Sequence, residues 1–199
     1  MRLNRRCILV PLMLVGTIFS LLVAPSAPTV EKIIYQRGYS ITGQEDCALT
    51  LTIPKDQLPA GIPEERAAIT QRTDLRIPVW SDGVTTVNLD GLYHANEGPD
   101  KLYACFSFQY ALPEAGALIL PYRVDLDSGS FTGGVSVGLG TGNGAASDAD
   151  SSYTDAVSLR GTGPGERIDI YLDTAVFQAA EGAITFQVND LNRLSYQSA

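Results

Sequence analysis

The sequence predicts an all-β protein, an antiparallel β-sandwich or jelly roll with at most one short helix, behind an N-terminal hydrophobic segment. Three observations carry this. Many short runs alternate apolar and polar side chains, as strands with one buried face do. Glycine and proline, 19 and 11 residues, recur between those runs and supply the turns. No long helical pattern alternates with the strands, so a parallel α/β sheet is not expected.

In chain order, residues 1–26 form an export segment. Arg2, Arg5 and Arg6 precede an apolar run from Ile8 to Val23, and Ala24-Pro-Ser26 offers a small-x-small cleavage site. Two readings stay open: a signal peptide cut before Ala27, or an uncleaved signal anchor. For the second, Cys7 and the stretch through Ala27 would lengthen the run toward the roughly 20 residues of a span. Either way the body of the chain leaves the cytoplasm and the N-terminus engages a membrane at least during export. Residues 27–32 are expected as a short stalk, 33–190 as one β domain and 191–199 as a frayed tail.

Val30–Ser40, with Ile33, Ile34, Tyr35 and Tyr39, reads as the first strand. Cys47–Ile53 follows, with Cys47, Leu49, Leu51 and Ile53 on one face. Residues 54–63 are a proline-rich loop, and Pro63–Gln71 carries helix formers for one or two turns. Leu75–Trp80 and Val84–Leu89 form a hairpin around Ser81-Asp82-Gly83, its first strand at an edge because of Pro78. After a polar turn over Leu92–Asp100 comes Leu102–Tyr110. Its Phe106, Phe108 and Tyr110 oppose Tyr103, Cys105, Ser107 and Gln109. Ala117–Leu126, Phe131–Leu139 and Arg167–Leu172 look like the middle of the sheet, and Ala183–Val188 closes it.

Cys47 and Cys105 are an even pair in an exported body, so a disulfide between them is expected, contributing about 2–4 kcal/mol. The alternative is two buried thiols. The net charge is −8, and omitting residues 1–26 leaves 11 Lys+Arg against 22 Asp+Glu, hence −11. Such a body lacks the basic clusters that nucleic acid or anionic lipid requires, so no nucleic-acid partner is expected.

The candidate chemistry is sparse. Gly138-Leu-Gly-Thr-Gly-Asn-Gly144 lacks the dinucleotide spacing and the helix that would bind a pyrophosphate. Asp148-Ala-Asp150-Ser-Ser152 begins like a calcium loop, but the sixth and twelfth positions hold Tyr153 and Leu159 instead of Gly and Glu. Asp148 and Asp150, with Asp125 or Asp127, remain the weak calcium candidates; no other cofactor is implied. His94 is the sole histidine, read as a surface-loop residue, and no G-x-S-x-G elbow accompanies it. Paired acids give no signal, because a chain with 22 of them always contains some pair. The aromatics are more informative: Trp80 beside Asp82, with Tyr93 in the next turn and Tyr103 and Tyr171 on polar strand faces, could cover a sugar ring while carboxylates take its hydroxyls. Against that stands simple packing of Trp80 over one end of the core.

Tyr122-Arg-Val-Asp-Leu-Asp-Ser-Gly-Ser-Phe-Thr-Gly-Gly-Val-Ser-Val-Gly-Leu139, then Glu166-Arg-Ile-Asp-Ile-Tyr-Leu172, resembles the later strands of extracytoplasmic jelly-roll domains of the carbohydrate-binding-module type. The resemblance covers about a third of the chain and rests on strand rhythm and glycine placement. It implies non-catalytic binding of a glycan or envelope polymer and transfers no binding residue. The competing expectations are a structural component of the cell envelope that binds another envelope protein, and an envelope-glycan hydrolase using paired acids.

Overall fold

The computed structural model describes residues 27–58, 75–94, 100–132, 135–140, 157–160 and 166–199. Over these residues the chain is mostly antiparallel β-sheet. Strand β11 (Ala183–Ser198) is the spine of one sheet. Strand β1 (Tyr39–Pro54) pairs with it along one side, while β5 (Ala115–Leu120) and β8 (Ser136–Gly140) share the other. The second sheet has the order β2 (Ile77–Ser81), β3 (Thr85–His94), β4 (Lys101–Tyr110), β10 (Arg167–Asp173), β9 (Val157–Arg160). Strands β6 (Arg123–Val124) and β7 (Phe131–Thr132) make a small ribbon. Two short helices, α1 (Val30–Ile34) and α2 (Thr174–Ala179), complete the described elements with a 3-10 turn at Lys55–Gln57.

Alternation fixes which faces meet. Leu49, Leu51, Ile53, Ile184, Phe186 and Val188 of the first sheet pack against Val87, Leu89, Phe106, Phe108, Ile168 and Ile170 of the second. Phe106 and Phe186 cross edge-to-face with centroids 6.0 Å apart, a geometry worth about 0.5–1.5 kcal/mol beyond the area it buries. At one corner the two sheets are also stapled by hydrogen bonds. Ile119 N–H donates to the Thr85 hydroxyl at 3.0 Å, and the Tyr110 hydroxyl donates to Ile119 C=O at 3.1 Å. Those bonds satisfy backbone groups of β5 that have no ladder partner on that side.

The long β1–β11 ladder serves two cores because its apolar stripe changes face. Between the pairs Cys47/Leu191 and Leu49/Val188, β11 carries one residue more than β1, and Asp190 there has φ 61°. Between Ile41/Tyr196 and Gly43/Ser195 the extra residue is on β1. A bulge shifts the alternation by one residue and so swaps the faces beyond it. Beyond these bulges Tyr39, Leu194 and Tyr196 lie in a second cluster with Leu118, Leu120, Tyr122 and Val124, on the outer face of the first sheet. Ile33 and Ile34 of α1 cover it. Burial in this cluster pushes the Tyr122 phenol up to about 12 and raises Tyr196 as well.

Several expectations are corrected. Residues 191–199 are not a frayed tail, because Leu191, Leu194 and Tyr196 are buried in the second half of β11. Residues 27–32 are not a stalk, and of Val30–Ser40 only Tyr39 and Ser40 are strand: the Thr29 hydroxyl accepts from Lys32 N–H and starts α1. Two short helices stand where at most one was expected. The stretch Ala117–Leu172 is not one sheet centre, since β5 and β8 belong to the first sheet and β10 to the second. Cys47 and Cys105 are free thiols. Cys47 packs against the core between the sheets, whereas Cys105 lies with Tyr93 and Tyr103 on the far face of the second sheet. A bond between them would have to pass through that sheet. The Ser81-Asp82-Gly83 hairpin and the edge position of Pro78 are as expected. The expected helical turns at 63–71 and the export segment 1–26 lie outside the described residues, among which no helix is long and apolar enough to cross a membrane.

Candidate functional site

The outer face of the five-stranded sheet gathers most of the polar and aromatic side chains that could bind a ligand. Strand alternation sends Leu102, Ala104, Phe106 and Phe108 into the core, so Tyr103, Cys105 and Ser107 must face outward. The same rule on β10 buries Ile168, Ile170 and Leu172 and turns out Arg167, Asp169 and Tyr171. The register places Arg167 opposite Ser107, Asp169 opposite Cys105 and Tyr171 opposite Tyr103. On β3 a bulge between Leu89 and Gly91 inserts Asp90. Its Oδ1 accepts from the Ser107 hydroxyl at 3.0 Å, so the bulge re-aims this carboxylate into the strip.

Three tyrosines form one end of the strip. Tyr93 stacks on Tyr103 with centroids 5.0 Å apart, and Tyr103 meets Tyr171 at 4.2 Å. The Tyr103 and Tyr171 hydroxyls are hydrogen-bonded to each other. The Lys101 ammonium lies 5.9 Å from the Tyr171 ring, within cation–π range. Tyr93 and Tyr103 are buried, at 1% exposure each, while Tyr171 is half-buried. A ligand on this face would therefore meet Tyr171 first.

Cys105 sits at the centre and donates to the Tyr93 hydroxyl at 3.3 Å. Burial, and then the Asp169 charge, push its thiol up to about 11, so it is protonated at neutral pH. For Arg167 burial works against the charge, but contacts with Cys105 and Asp169 outweigh it and raise its pKa. The Arg167 Nε donates to Asp169 Oδ1 at 3.3 Å. Its Nη2 is buried with no hydrogen-bond partner among the described residues. The strip thus offers two carboxylates, a guanidinium with a donor to spare, a hydroxyl and an aromatic ring.

The expected site residues do not all meet here. Tyr93, Tyr103 and Tyr171 come together, Tyr93 from within β3 and not from the turn expected for it. Trp80 does not join them: it pairs with Val87, is half-buried and packs against the core between the sheets. Asp82 closes its own turn, its Oδ1 accepting from Val84 N–H at 2.9 Å and Thr85 N–H at 2.7 Å. His94 ends β3 and is half-buried, and so is not a surface-loop residue. It pairs with the core residue Leu102, on the face away from Tyr93. Asp125 is occupied locally, held below the usual carboxylate range by the Ser128 hydroxyl and the backbone N–H groups of Ser128 and Asp127. Asp148 and Asp150 lie outside the described residues, among which no cluster suits a metal ion.

Asp90, Ser107, Arg167 and Asp169 were not singled out from sequence. The alternation of Arg167-Ile-Asp-Ile-Tyr171 already places three polar side chains on one face. Asp90, in contrast, precedes Gly91 and resembles a turn residue; nothing local announces the bulge. The chain matches no protein-family model, no curated protein and no solved structure.

Proposed function

We propose that this is a non-catalytic binding protein that takes a carbohydrate or other cell-surface polymer on the outer face of its five-stranded sheet. The observation that carries the reading is the strip itself. A half-buried tyrosine ring shares this face with Asp90, Ser107, Arg167 and Asp169, and one buried guanidinium nitrogen has no hydrogen-bond partner among the described residues. A sugar presents C–H faces to a ring and hydroxyls that both donate and accept, which suits this mixture. The export pattern of residues 1–26 supports an extracytoplasmic location, secreted, periplasmic or membrane-anchored. A jelly-roll assignment is supported by the neighbours β1–β11 and β4–β10, which bring early and late strands together; the β2–β3–β4 meander departs from that topology.

A second reading, a structural or protein-interaction component of the envelope, is favoured by β1. Sixteen residues long, it has a strand partner on one side only among the described residues. An open edge of that length is a template for strand addition. The discriminating experiment is a glycan-array screen of residues 27–199, with and without calcium. A specific hit that Tyr171→Ala and Arg167→Ala each weaken about tenfold or more, with folding intact, supports the first reading. Trp80→Ala should leave that binding unchanged and lower stability instead. A blank array on folded protein sinks the carbohydrate reading in favour of the second, and calcium dependence would point to Asp148 and Asp150.

A further inference from the structure

The first described residues are tied to the fold at once. Lys32 Nζ donates to Ala27 C=O at 2.7 Å, Thr29 caps α1, and Ile33 and Ile34 are 0% and 6% exposed against the outer face of the first sheet. Only residues 24–29 separate the apolar run ending at Val23 from α1. Six extended residues reach about 20 Å at most. A chain anchored through residues 8–23 therefore could not swing freely; α1 would be held close to the bilayer surface.

The surface at that place fits a headgroup layer. Tyr35, directly after α1, is 45% exposed, and among the described residues it is the exposed member of the large apolar and aromatic side chains. The Arg37 guanidinium lies 5.4 Å from its ring centroid and donates to Glu31 Oε1 at 3.3 Å, both side chains being exposed. Aromatic rings with a polar tip, flanked by cations, concentrate at the lipid–water boundary. The opposite end of the β1–β11 ladder, at Pro54/Ala183, is about 50 Å away at the usual rise per residue.

We propose that the α1 end of the first sheet faces a lipid bilayer, with Tyr35 and Arg37 at headgroup level and the chain anchored through the apolar run at 8–23. This rests on the anchored, extracytoplasmic reading given under Proposed function. It leaves the tyrosine–arginine strip, on the outer face of the second sheet, open to solvent. It also makes the protein a surface-held binder with a fixed orientation.

The test uses the full chain in vesicles of phosphatidylcholine and phosphatidylglycerol containing a brominated lipid. Two exposed positions are changed singly, Tyr35→Trp beside α1 and Glu181→Trp at the far end, with the native Trp80 emission as the baseline in each. The expected result is flotation of both variants with the vesicles, and quenching of the added indole emission in Tyr35→Trp but not in Glu181→Trp. Flotation with equal quenching in both variants, or with none in either, overturns the orientation while leaving the anchor intact. A folded chain that does not float removes the anchor and this inference with it, and leaves glycan binding on the strip to be judged by its own array.

Discussion

Asn192 is fully buried, and neither atom of its amide meets a hydrogen-bond partner among the described residues. An unpaired buried amide costs about 1–3 kcal/mol, so Asn192→Leu should raise the urea midpoint, by about 1 kcal/mol in stability. A clear drop would show that the amide is satisfied after all. Lys55 is the opposite case. Its ammonium donates to the carbonyls of Phe177 and Ala180 at 2.8 Å each and of Gln178 at 3.4 Å. These are carbonyls at the C-terminal end of α2, left open by the end of the helix. Lys55→Met keeps the stem but removes those bonds, and should cost about 1–2 kcal/mol in the same assay. A midpoint within error of the parent would mean that water replaces the ammonium without loss.

The elements divide by how locally they are encoded. The Ser81–Gly83 turn was legible because its chemistry is self-contained: Asp82 caps it and Gly83 takes φ 92°. Strands β4 and β10 were legible because their phase never breaks. Strand β11 was legible only to Val188. At Asp190 the phase shifts, so Leu191 takes the inner face held by Ile184, Phe186 and Val188, while Leu194 and Tyr196 fall on the outer one. The error over α1 has a different cause. Val30, Ile33 and Ile34 are β-branched and suggest a strand, yet their i, i+3, i+4 spacing after Thr29 is a helical face with a cap. The strip was half legible, since β10 alternation shows three of its residues while Asp90 depends on a bulge. Truncation tests the reassigned C-terminus: a chain ending at Asp190 should lose its near-UV circular dichroism and become protease-sensitive, because β5 and half of β1 lose their partner. A truncated chain that retains native spectra would contradict the central role of β11.

At the scale of the whole molecule, burial of thiols and phenols gives stability a pH signature. Cys105 is pushed up from 9.0 to about 11 and Tyr122 from 10.0 to about 12, with Tyr110 raised further, in each case chiefly by burial. A raised folded-state pKa means that the unfolded chain releases its proton first. Stability from these groups is therefore complete below about pH 9 and is lost as pH rises through about 11–12. Cys105 alone should account for about 2–3 kcal/mol of that loss. Urea midpoints across this range should fall for the parent protein and fall less steeply for Cys105→Ala. A flat profile would show that the thiol and phenols reach water in the native state.

The pairing of Tyr39 with Ser198 also sets a timetable. Strand β1 waits for the far half of β11, so the four-stranded sheet cannot close until residues 191–198 have been made. Until then β2, β3 and β4 can form their meander, but β1 has no neighbour to pair with. Contacts this distant in sequence close slowly. Folding should therefore begin with that meander and end with the β1–β11 ladder, with β1 exposed to chaperones, or to other copies of itself, for the whole interval.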